Sequence, residues 1–413
     1  MELEKYSFGI GDRFGQQGEA QLKALLLAEE TGTVIVPVWN KSHREHQIIG
    51  SSPEETLLEA RSAVKSQQWM RPYYVDADHI TLRTVDPYLA HANFFTLDVA
   101  EHIGSEVSAS ELQDFQDMAS TYLGKLEIPG IPEPFFVTED QLAGISGKFL
   151  GAVREAARIY RYIAGEKGAN RFIAEISMDE VKEAQSPMEL FFILMMLRHH
   201  DLPVQTIAPK FTGRFNKGVD YSGNVNRFRK EFEEDLLVID FAVELFGLPA
   251  NLKLSVHSGS DKFSIYPVMG ELIRKHNKGI HVKTAGTTWL EEVIGLAMSG
   301  GEGLQLAKDI YERAYARQEE LCRPYAAVID VDPDTLPEPE DVGRWDGQKF
   351  AATLRHIPGH PQYHPGFRQL IHVGYKVAAE MGRTYLEIVQ KYDEVIGEQV
   401  TTNLFERHIQ RLF

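Results

Sequence analysis

The chain has a single cysteine and no apolar segment long enough to span a membrane. Cys322 is the single cysteine, so no disulfide can form within the chain. Apolar runs such as residues 188–197 are too short to span a membrane. The first residues are charged and lack the apolar core of a secretory signal. We therefore expect a cytoplasmic protein with no membrane partner.

Positive charge is also scarce. The chain carries 43 Lys and Arg against 60 Asp and Glu, a formal net charge of -17. Such a surface repels phosphate backbones, so we expect no nucleic-acid partner. A small anionic substrate is not excluded, because one site can be locally basic in an acidic protein. The composition does not decide the oligomeric state, and a homo-oligomer is possible.

A dinucleotide-binding turn is missing as well. The glycine-rich stretch after the first apolar segment has Gly9, Gly11 and Gly15, which is spacing 1, 3 and 7 rather than 1, 3 and 6. An open Rossmann-type sheet is therefore poorly supported. With one thiol and 15 histidines, a metal site would use nitrogen and oxygen ligands.

Short apolar segments alternate with helical ones along most of the 413 residues. This rhythm is typical of βαβ units and predicts an α/β fold, a TIM-like (β/α)8 barrel spanning 1–413 as one domain. The expected strands are residues 6–10, 33–38, 73–80, 171–176, 203–208, 252–257 and 279–284. The eighth strand has two candidates, residues 325–329 and residues 369–373. The second candidate also fits a helix. We expect an insertion over 93–137, after strand three, and a C-terminal loop and helical extension over 323–413.

Polar residues at the carboxyl ends of the strands are the candidate site, because barrel enzymes carry their chemistry there. Alternation along a strand points Ser255 and His257 inward, and likewise His281 and Lys283. His79 ends the third strand. The set His79, His257 and His281 could bind one cation and leave a position open for substrate or water. A histidine within a strand is more often hydrogen-bonded than metal-bound, so these histidines could instead have a purely structural role.

Acids and further basic residues surround these histidines. Asp78 and Glu175 are the candidate acid/base residues, although Glu175 could instead pair with a buried lysine. Arg13, Lys210 and Lys283 could bind a substrate carboxylate or phosphate, and a Schiff base on either lysine is the alternative. His372 is a rival metal ligand, but on a helix it could simply be packed. Asp76 could be a structural acceptor, and Gly286 could help to bind an anion at the start of the next helix.

Residues 6–15, 75–80, 255–263, 281–289 and 369–382 resemble the tagaturonate/fructuronate epimerase family. The resemblance extends over essentially the whole chain. It implies a metal-dependent enzyme of hexuronate catabolism, in which Asp78 matches a catalytic acid/base and His79 a metal ligand. It also implies weak activity on the neutral ketohexoses fructose and tagatose. We expect one divalent cation, zinc before manganese, iron, cobalt or nickel.

The two sugar acids differ at C4 when numbered as 2-ketoses. The C4 proton is not α to the ketone, so enolisation would invert C3 instead. Retro-aldol cleavage of C3–C4, rotation of the aldehyde and re-addition solves this problem. The alternatives are a metal-dependent sugar isomerase or C3 epimerase acting by enolisation, a Schiff-base aldolase, and a sugar-acid binding protein without catalysis.

Overall fold

A computed structural model describes residues 1–284 and 286–413, and its centre is a closed barrel of eight parallel strands. Around the barrel the order is β1, β2, β3, β4, β7, β8, β9 and β10. The strands are β1 (Tyr6–Ile10), β2 (Val36–Ser42), β3 (Tyr74–Ile80), β4 (Phe94–Asp98), β7 (Ile173–Ser177), β8 (Thr206–Ala208), β9 (Lys253–His257) and β10 (Ile280–Lys283). The remaining two, β5 (Gly124–Leu126) and β6 (Phe135–Val137), form an antiparallel hairpin outside the barrel. The expected TIM-like barrel is confirmed.

The eighth strand is not where the sequence placed it. It is β4, which lies between β3 and β7 and inside the segment 93–137 that was expected to be an insertion. Both earlier candidates for this strand are wrong, because Tyr325 ends a 3-10 turn and residues 369–373 lie in a helix. The α-helix that normally separates two barrel strands is replaced between β3 and β4 by the 3-10 turn Asp86–Tyr88. Without that helix the alternation could not reveal β4.

Helices surround the barrel and extend it at the C-terminal end of the chain. They are α1 (Gly18–Glu30), α2 (His43–Ile49), α3 (Pro53–Ser66), α4 (Ala109–Ala119), α5 (Glu139–Lys167), α6 (Pro187–His199), α7 (Val225–Phe246), α8 (Tyr266–Lys275), α9 (Thr287–Met298), α10 (Gly301–Ala316), α11 (Gln318–Cys322), α12 (Pro339–Gly343), α13 (Gly347–Leu354), α14 (Pro365–Val373), α15 (Tyr375–Met381), α16 (Arg383–Lys391), α17 (Asp393–Thr402) and α18 (Gln410–Leu412), with a π-helix over Asn403–Ile409. Short 3-10 turns cover Ala100–His102, Ser120–Tyr122, Arg323–Tyr325 and Pro333–Thr335. Among the described residues, no helix is both long and apolar enough to cross a membrane.

Local sequence explains where the helices begin. Ser52 caps α3 by accepting a hydrogen bond from the backbone of Glu55, whose side chain accepts one from the backbone of Ser52. Pro53 occupies the first helical position, where no amide donor is needed. The same reciprocal arrangement starts α5 at Thr138. Such caps satisfy amides that have no partner within the helix, and they fix where each helix leaves the barrel.

The barrel interior changes from apolar to charged along the strands. An apolar cluster separate from the main core is formed by Leu3, Val36, Val38, Tyr74, Phe94 and Ile173. Two residues further along β3, β4 and β7, on the same inward face, stand Asp76, Thr96 and Glu175. The sequence therefore closes the amino end of the barrel with packed side chains and leaves polar groups at the carboxyl end.

Candidate active site at the barrel mouth

Lys283 lies at the centre of the polar layer. Its Nζ donates to Asp76 Oδ2 at 2.8 Å and to Asp78 Oδ1 at 2.8 Å, and it lies 3.0 Å from Glu175 Oε1. It also contacts the hydroxyl of Thr96. All five side chains are buried. The ammonium therefore neutralises part of a three-carboxylate cluster, which is the ion-paired alternative that the sequence left open for Glu175.

This arrangement separates the pKa values of the carboxylates. Burial raises the pKa of Asp76 to about 6, although Lys283 opposes the shift. Burial acts in the same direction on Asp78 and Glu175, but the charge of Lys283 and neighbouring imidazoles outweighs it and holds both pKa values below the ordinary range, about 2 for Asp78. Burial lowers the pKa of Lys283, but the three carboxylates outweigh it and raise the pKa well above its usual value. Lys283 is thus protonated, and Asp76 is the group closest to titrating near neutral pH.

His257, at the end of β9, lies between two carboxylates. Its Nε2 is 2.8 Å from Glu175 Oε1, and because a carboxylate can only accept, this nitrogen carries the proton. The Nδ1 atom lies 3.0 Å from Asp179 Oδ1 without a hydrogen bond of acceptable geometry. Burial lowers the pKa of His257, but Asp179 and Glu175 outweigh it and raise the pKa to about 9. Because Nδ1 faces a carboxylate oxygen at this distance, either a proton or a bound cation has to lie between the two atoms.

His79 completes this cluster from the opposite side of the barrel mouth. Its ring centroid lies 5.2 Å from that of His257. Nδ1 is buried without a hydrogen bond, 3.5 Å from Asp98 Oδ2, and Nε2 lies 3.8 Å from Asp78 Oδ1. The backbone of His79 has φ 52°, an uncommon conformation for a residue with a Cβ, at an irregularity in the pairing of β3 with β4. At this bulge the imidazole lies between the side chains of Asp78 and Asp98 and beside that of His257.

The residues of this cluster fit a divalent cation. One ligand atom each from His79, Asp179 and His257 lie within 4.8 Å of one another, and His79 forms a second such group with Asp98 and Glu180. Two imidazoles and carboxylates suit Zn, Mn, Fe, Co or Ni. The bond from Glu175 to the second nitrogen of His257 is the arrangement that commonly orients a metal-binding histidine.

The structure does not bring His281 to this cluster. In the β9–β10 pairing, His281 is level with Ser255 and Lys283 is level with His257, so His281 lies one layer deeper. Its Nδ1 is 2.9 Å from Ser7 Oγ, and its ring lies 5.3 Å from that of Phe94. Burial lowers its pKa to about 3. The inward direction expected from the strand alternation is correct, but the depth is not that of the cluster.

His372 is also separate from the cluster. It lies on α14, fully buried, and both of its ring nitrogens lack hydrogen-bond partners among the described residues. Burial, reinforced by Arg13, Lys217, Arg368 and Lys262, holds its pKa well below the usual range. A site surrounded by cations repels a metal ion, so the structure does not support His372 as a ligand.

The two remaining basic residues differ in their surroundings. Arg13 is buried, stacks 3.7 Å over the ring of Tyr375 and donates to the carbonyl of His372 at 3.0 Å. Lys210 is half-buried and exchanges hydrogen bonds with Gln185 through its backbone. Within the described residues no carboxylate lies within 4 Å of its ammonium group, so Lys210 is not consumed by an ion pair.

A cavity of about 280 Å³ opens beside His79 and Asp98. Its other walls include basic residues, His43, Arg44, Arg83 and His102. Two acids, Asp98 and Glu101, lie on the same walls, so the charges of Arg44 and Arg83 are matched within the cavity.

Three acids of the site were not selected from the sequence. Asp98 was missed because β4 was missed. Asp179 lies two residues beyond the end of β7, where no strand periodicity predicts its direction. Asp76 was set aside as a structural acceptor, although its position on the inward face of β3, between Tyr74 and Asp78, was the available signal.

Comparisons with known proteins agree over the full length of the chain. The family model described as UxaE, tagaturonate epimerase, matches residues 1–412. A tagaturonate/fructuronate epimerase of Thermotoga maritima is 28% identical over 98% of this chain and 80% of its own length. The glycerol-complexed crystal structure of the fructuronate-tagaturonate epimerase UxaE from Cohnella laeviribosi superposes with a TM-score of 0.80 at 22% identity, covering 100% of this chain and 82% of its own. The native crystal structure of that protein gives a TM-score of 0.78. The chain belongs to the tagaturonate epimerase family, and it is an enzyme of the isomerase class.

Proposed function

We propose that this enzyme interconverts D-tagaturonate and D-fructuronate by inverting C4, with one divalent cation held by His79, Asp179 and His257. The observation that carries the proposal is the Nδ1 atom of His257. It is buried, it faces the carboxylate of Asp179 at 3.0 Å, and its ring is fixed from behind by Glu175. Zinc is the first expectation for the cation, with manganese, iron, cobalt or nickel as alternatives.

The chemistry at C4 favours cleavage of the carbon skeleton. Proton abstraction next to the ketone inverts C3, whereas breaking C3–C4 frees C4 to change its configuration. The C4 hydroxyl loses its proton, the C3–C4 electron pair passes to the ketone fragment as an enediolate, and C4 becomes an aldehyde. Rotation of the aldehyde and re-addition on its other face form the epimer. A bound divalent cation supplies Lewis-acid stabilisation for the negative charge on the ketone and C3 oxygens.

Asp78 is best placed to take the C4 hydroxyl proton. Its side chain keeps 9% of its surface exposed, whereas those of Asp76 and Glu175 are completely buried. Lys283 bridges Asp78 to Asp76, whose raised pKa suits a group that stores and returns a proton near neutral pH. Glu175 bonds to His257 and Thr206, which assigns it to holding that imidazole rather than to the opposite face of the sugar.

The same geometry argues against a Schiff base on Lys283. A nucleophilic lysine must be neutral, and such lysines owe a lowered pKa to apolar or cationic surroundings. Lys283 instead contacts three carboxylates that raise its pKa. Its role is electrostatic: it keeps the carboxylate cluster ionised and in place.

The test is product identification by NMR, with tagaturonate and protein reconstituted with zinc or manganese. Fructuronate should form with the cation present and cease to form after chelation, and His257→Ala should abolish it. His276→Ala is the matched control, because that imidazole pairs with Glu233 on the outer face of the barrel. A product inverted at C3, or unchanged turnover after chelation, would contradict the proposal.

A further inference from the structure

Gly286 precedes α9, and among the described residues this helix start has no side-chain cap. Gly286 has φ 86°, and the first turn of the helix contains no acidic residue. The amides at the beginning of a helix lack intrahelical partners and carry partial positive charge. In α9 the first of them, that of Thr287, already donates to the carbonyl of Thr284 at 3.2 Å. Such a terminus binds an anion when other groups of the protein converge on it.

Two buried polar groups at this helix start have no hydrogen-bond partner in residues 1–284 and 286–413. A Cβ on residue 286 would collide with Nε2 of His372, so the glycine lets the imidazole approach the backbone. That imidazole is 1% exposed, and neither of its nitrogens has a hydrogen-bond partner among the described residues. Thr287, the first residue of α9, also has a buried hydroxyl that no described residue contacts by a hydrogen bond. Leaving such groups unpaired is costly, and a bound ligand would satisfy them.

Arg13 brings a full positive charge to the same place. A Cβ built on Gly286 would lie 3.1 Å from Nη2 of Arg13. The guanidinium is fixed in this position by its stacking on Tyr375 and by its bond to the carbonyl of His372. Glu45, 3.2 Å from Nε, offsets part of its charge. The remaining field suits a singly charged anion better than a doubly charged one.

The wider surroundings are cationic as well. Burial first, and then Arg13, Lys217, Arg368 and Lys262, keep His372 neutral. Arg368 is paired with Asp261 at 2.7 Å, and Lys262 donates to three backbone carbonyls, so part of this charge is already satisfied. A neutral imidazole can donate one hydrogen bond to an anion without adding a charge of its own.

This helix follows the strand β10, whose last residue is level with a residue of the cation cluster. Lys283, at the end of β10, is level with His257 of that cluster, and α9 begins a few residues later. Loops after the seventh and eighth strands commonly bind anionic groups in barrels of this kind. Lys283 itself already forms ion pairs with three carboxylates of the protein. The substrate carboxylate therefore needs another partner.

We propose that the start of α9, together with Arg13, His372 and the hydroxyl of Thr287, binds the carboxylate of the sugar-acid substrate. This inference rests on the proposed function and adds a position for the far end of the sugar. It holds the fragment that carries C4 after the C3–C4 bond breaks, so that this fragment rotates without leaving the site.

The test is binding of D-glycerate, a short hydroxy acid, measured by calorimetry on the metal-loaded protein. Thr287→Val replaces the hydroxyl with a methyl of the same shape and should weaken glycerate binding about tenfold. Arg13→Met should weaken it at least about thirtyfold. The matched control is Thr288→Val, because that hydroxyl already accepts a hydrogen bond from Gln21 at 2.6 Å. The control should bind glycerate as the wild-type protein does.

A neutral ligand and a doubly charged ligand show whether the site recognises a carboxylate, a hydroxyl group or a phosphate. Glycerol should bind more weakly than glycerate, and its affinity should not change in Thr287→Val. Tighter binding of sn-glycerol 3-phosphate than of glycerate would overturn the proposal in favour of a phosphate subsite. Unchanged glycerate binding in both Thr287→Val and Arg13→Met would also overturn it. These measurements need no turnover, so they remain decisive even if tagaturonate is not converted.

Discussion

Replacing Lys283 with methionine tests the buried charge cluster on which the site depends. The ammonium lies 2.8 Å, 2.8 Å and 3.0 Å from carboxylate oxygens of Asp76, Asp78 and Glu175. Methionine keeps much of the side-chain length but removes the ammonium that contacts all three carboxylates. Removing one partner of a buried ion pair typically costs about 3–5 kcal/mol, because it leaves an uncompensated buried charge.

That cost converts into a measurable melting shift. An unfolding entropy of about 2.1 cal/mol/K per residue gives roughly 0.9 kcal/mol per degree for a chain of 413 residues. Lys283→Met should therefore lower the melting temperature by about 3–6 °C. Scanning calorimetry on chelated protein measures this shift without a contribution from bound metal. A second substitution, Asp76→Asn, should recover part of the loss because it removes one of the unpaired charges.

A matched surface variant controls for the loss of a lysine as such. Lys278 pairs with Asp240 at 2.5 Å in a solvent-accessible position. Exposed pairs of this type contribute about 0–1 kcal/mol, so Lys278→Met should shift the melting temperature by no more than about 1 °C. A shift in Lys283→Met as small as that of the control would refute the view that the buried cluster depends on this ammonium.

Three further predictions concern the metal, the lysine chemistry and a buried acid. Asp179→Asn and His257→Ala should lose the bound cation in elemental analysis, while His281→Ala should keep it; loss in His281→Ala together with retention in Asp179→Asn would instead support the ligand set predicted from the sequence. Borohydride reduction with substrate present should leave the protein mass unchanged, and a trapped adduct would support a Schiff base. Burial, with Glu231 and Glu234, raises the pKa of Asp235 well above its usual value, so stability from its protonated form is lost as pH rises. Asp235→Asn should therefore melt about 1–3 °C higher than wild type at pH 8 but not at pH 4, with exposed Glu244→Gln as the unchanged control.

The sequence predicts the barrel because seven apolar segments of strand length alternate with helices, but it identifies each strand by the helices on either side of it. Where β3 passes to β4 through only the 3-10 turn Asp86–Tyr88, that signal disappears. The missed strand also affects the prediction of the site. Asp98 lies at the end of β4, so without β4 it is not recognised as a residue at the end of a strand. Local rules for helix starts were more dependable, as Ser52 and Pro53 show, because a cap depends on neighbours in sequence.

The site shows a similar limit. Alternation along a strand identifies the inward face, which is why His257 and Lys283 are inward as expected. It does not give depth, because the stagger between strands decides which residues are level, and His281 proved to be one layer below His257. Asp179 lies beyond the strand, in a segment whose direction depends on tertiary contacts. Charge partners such as Asp76 and Lys283 are far apart in sequence and become neighbours only when the barrel closes.

The most direct test of the mechanism is the fate of the hydrogen on C4 during turnover in deuterated water. Cleavage of C3–C4 never removes this hydrogen, so fructuronate formed from tagaturonate should carry protium at C4, as read by NMR. Incorporation of deuterium at C4 in step with epimerisation would show that the C–H bond is broken, and it would contradict the carbon–carbon cleavage assigned to this site.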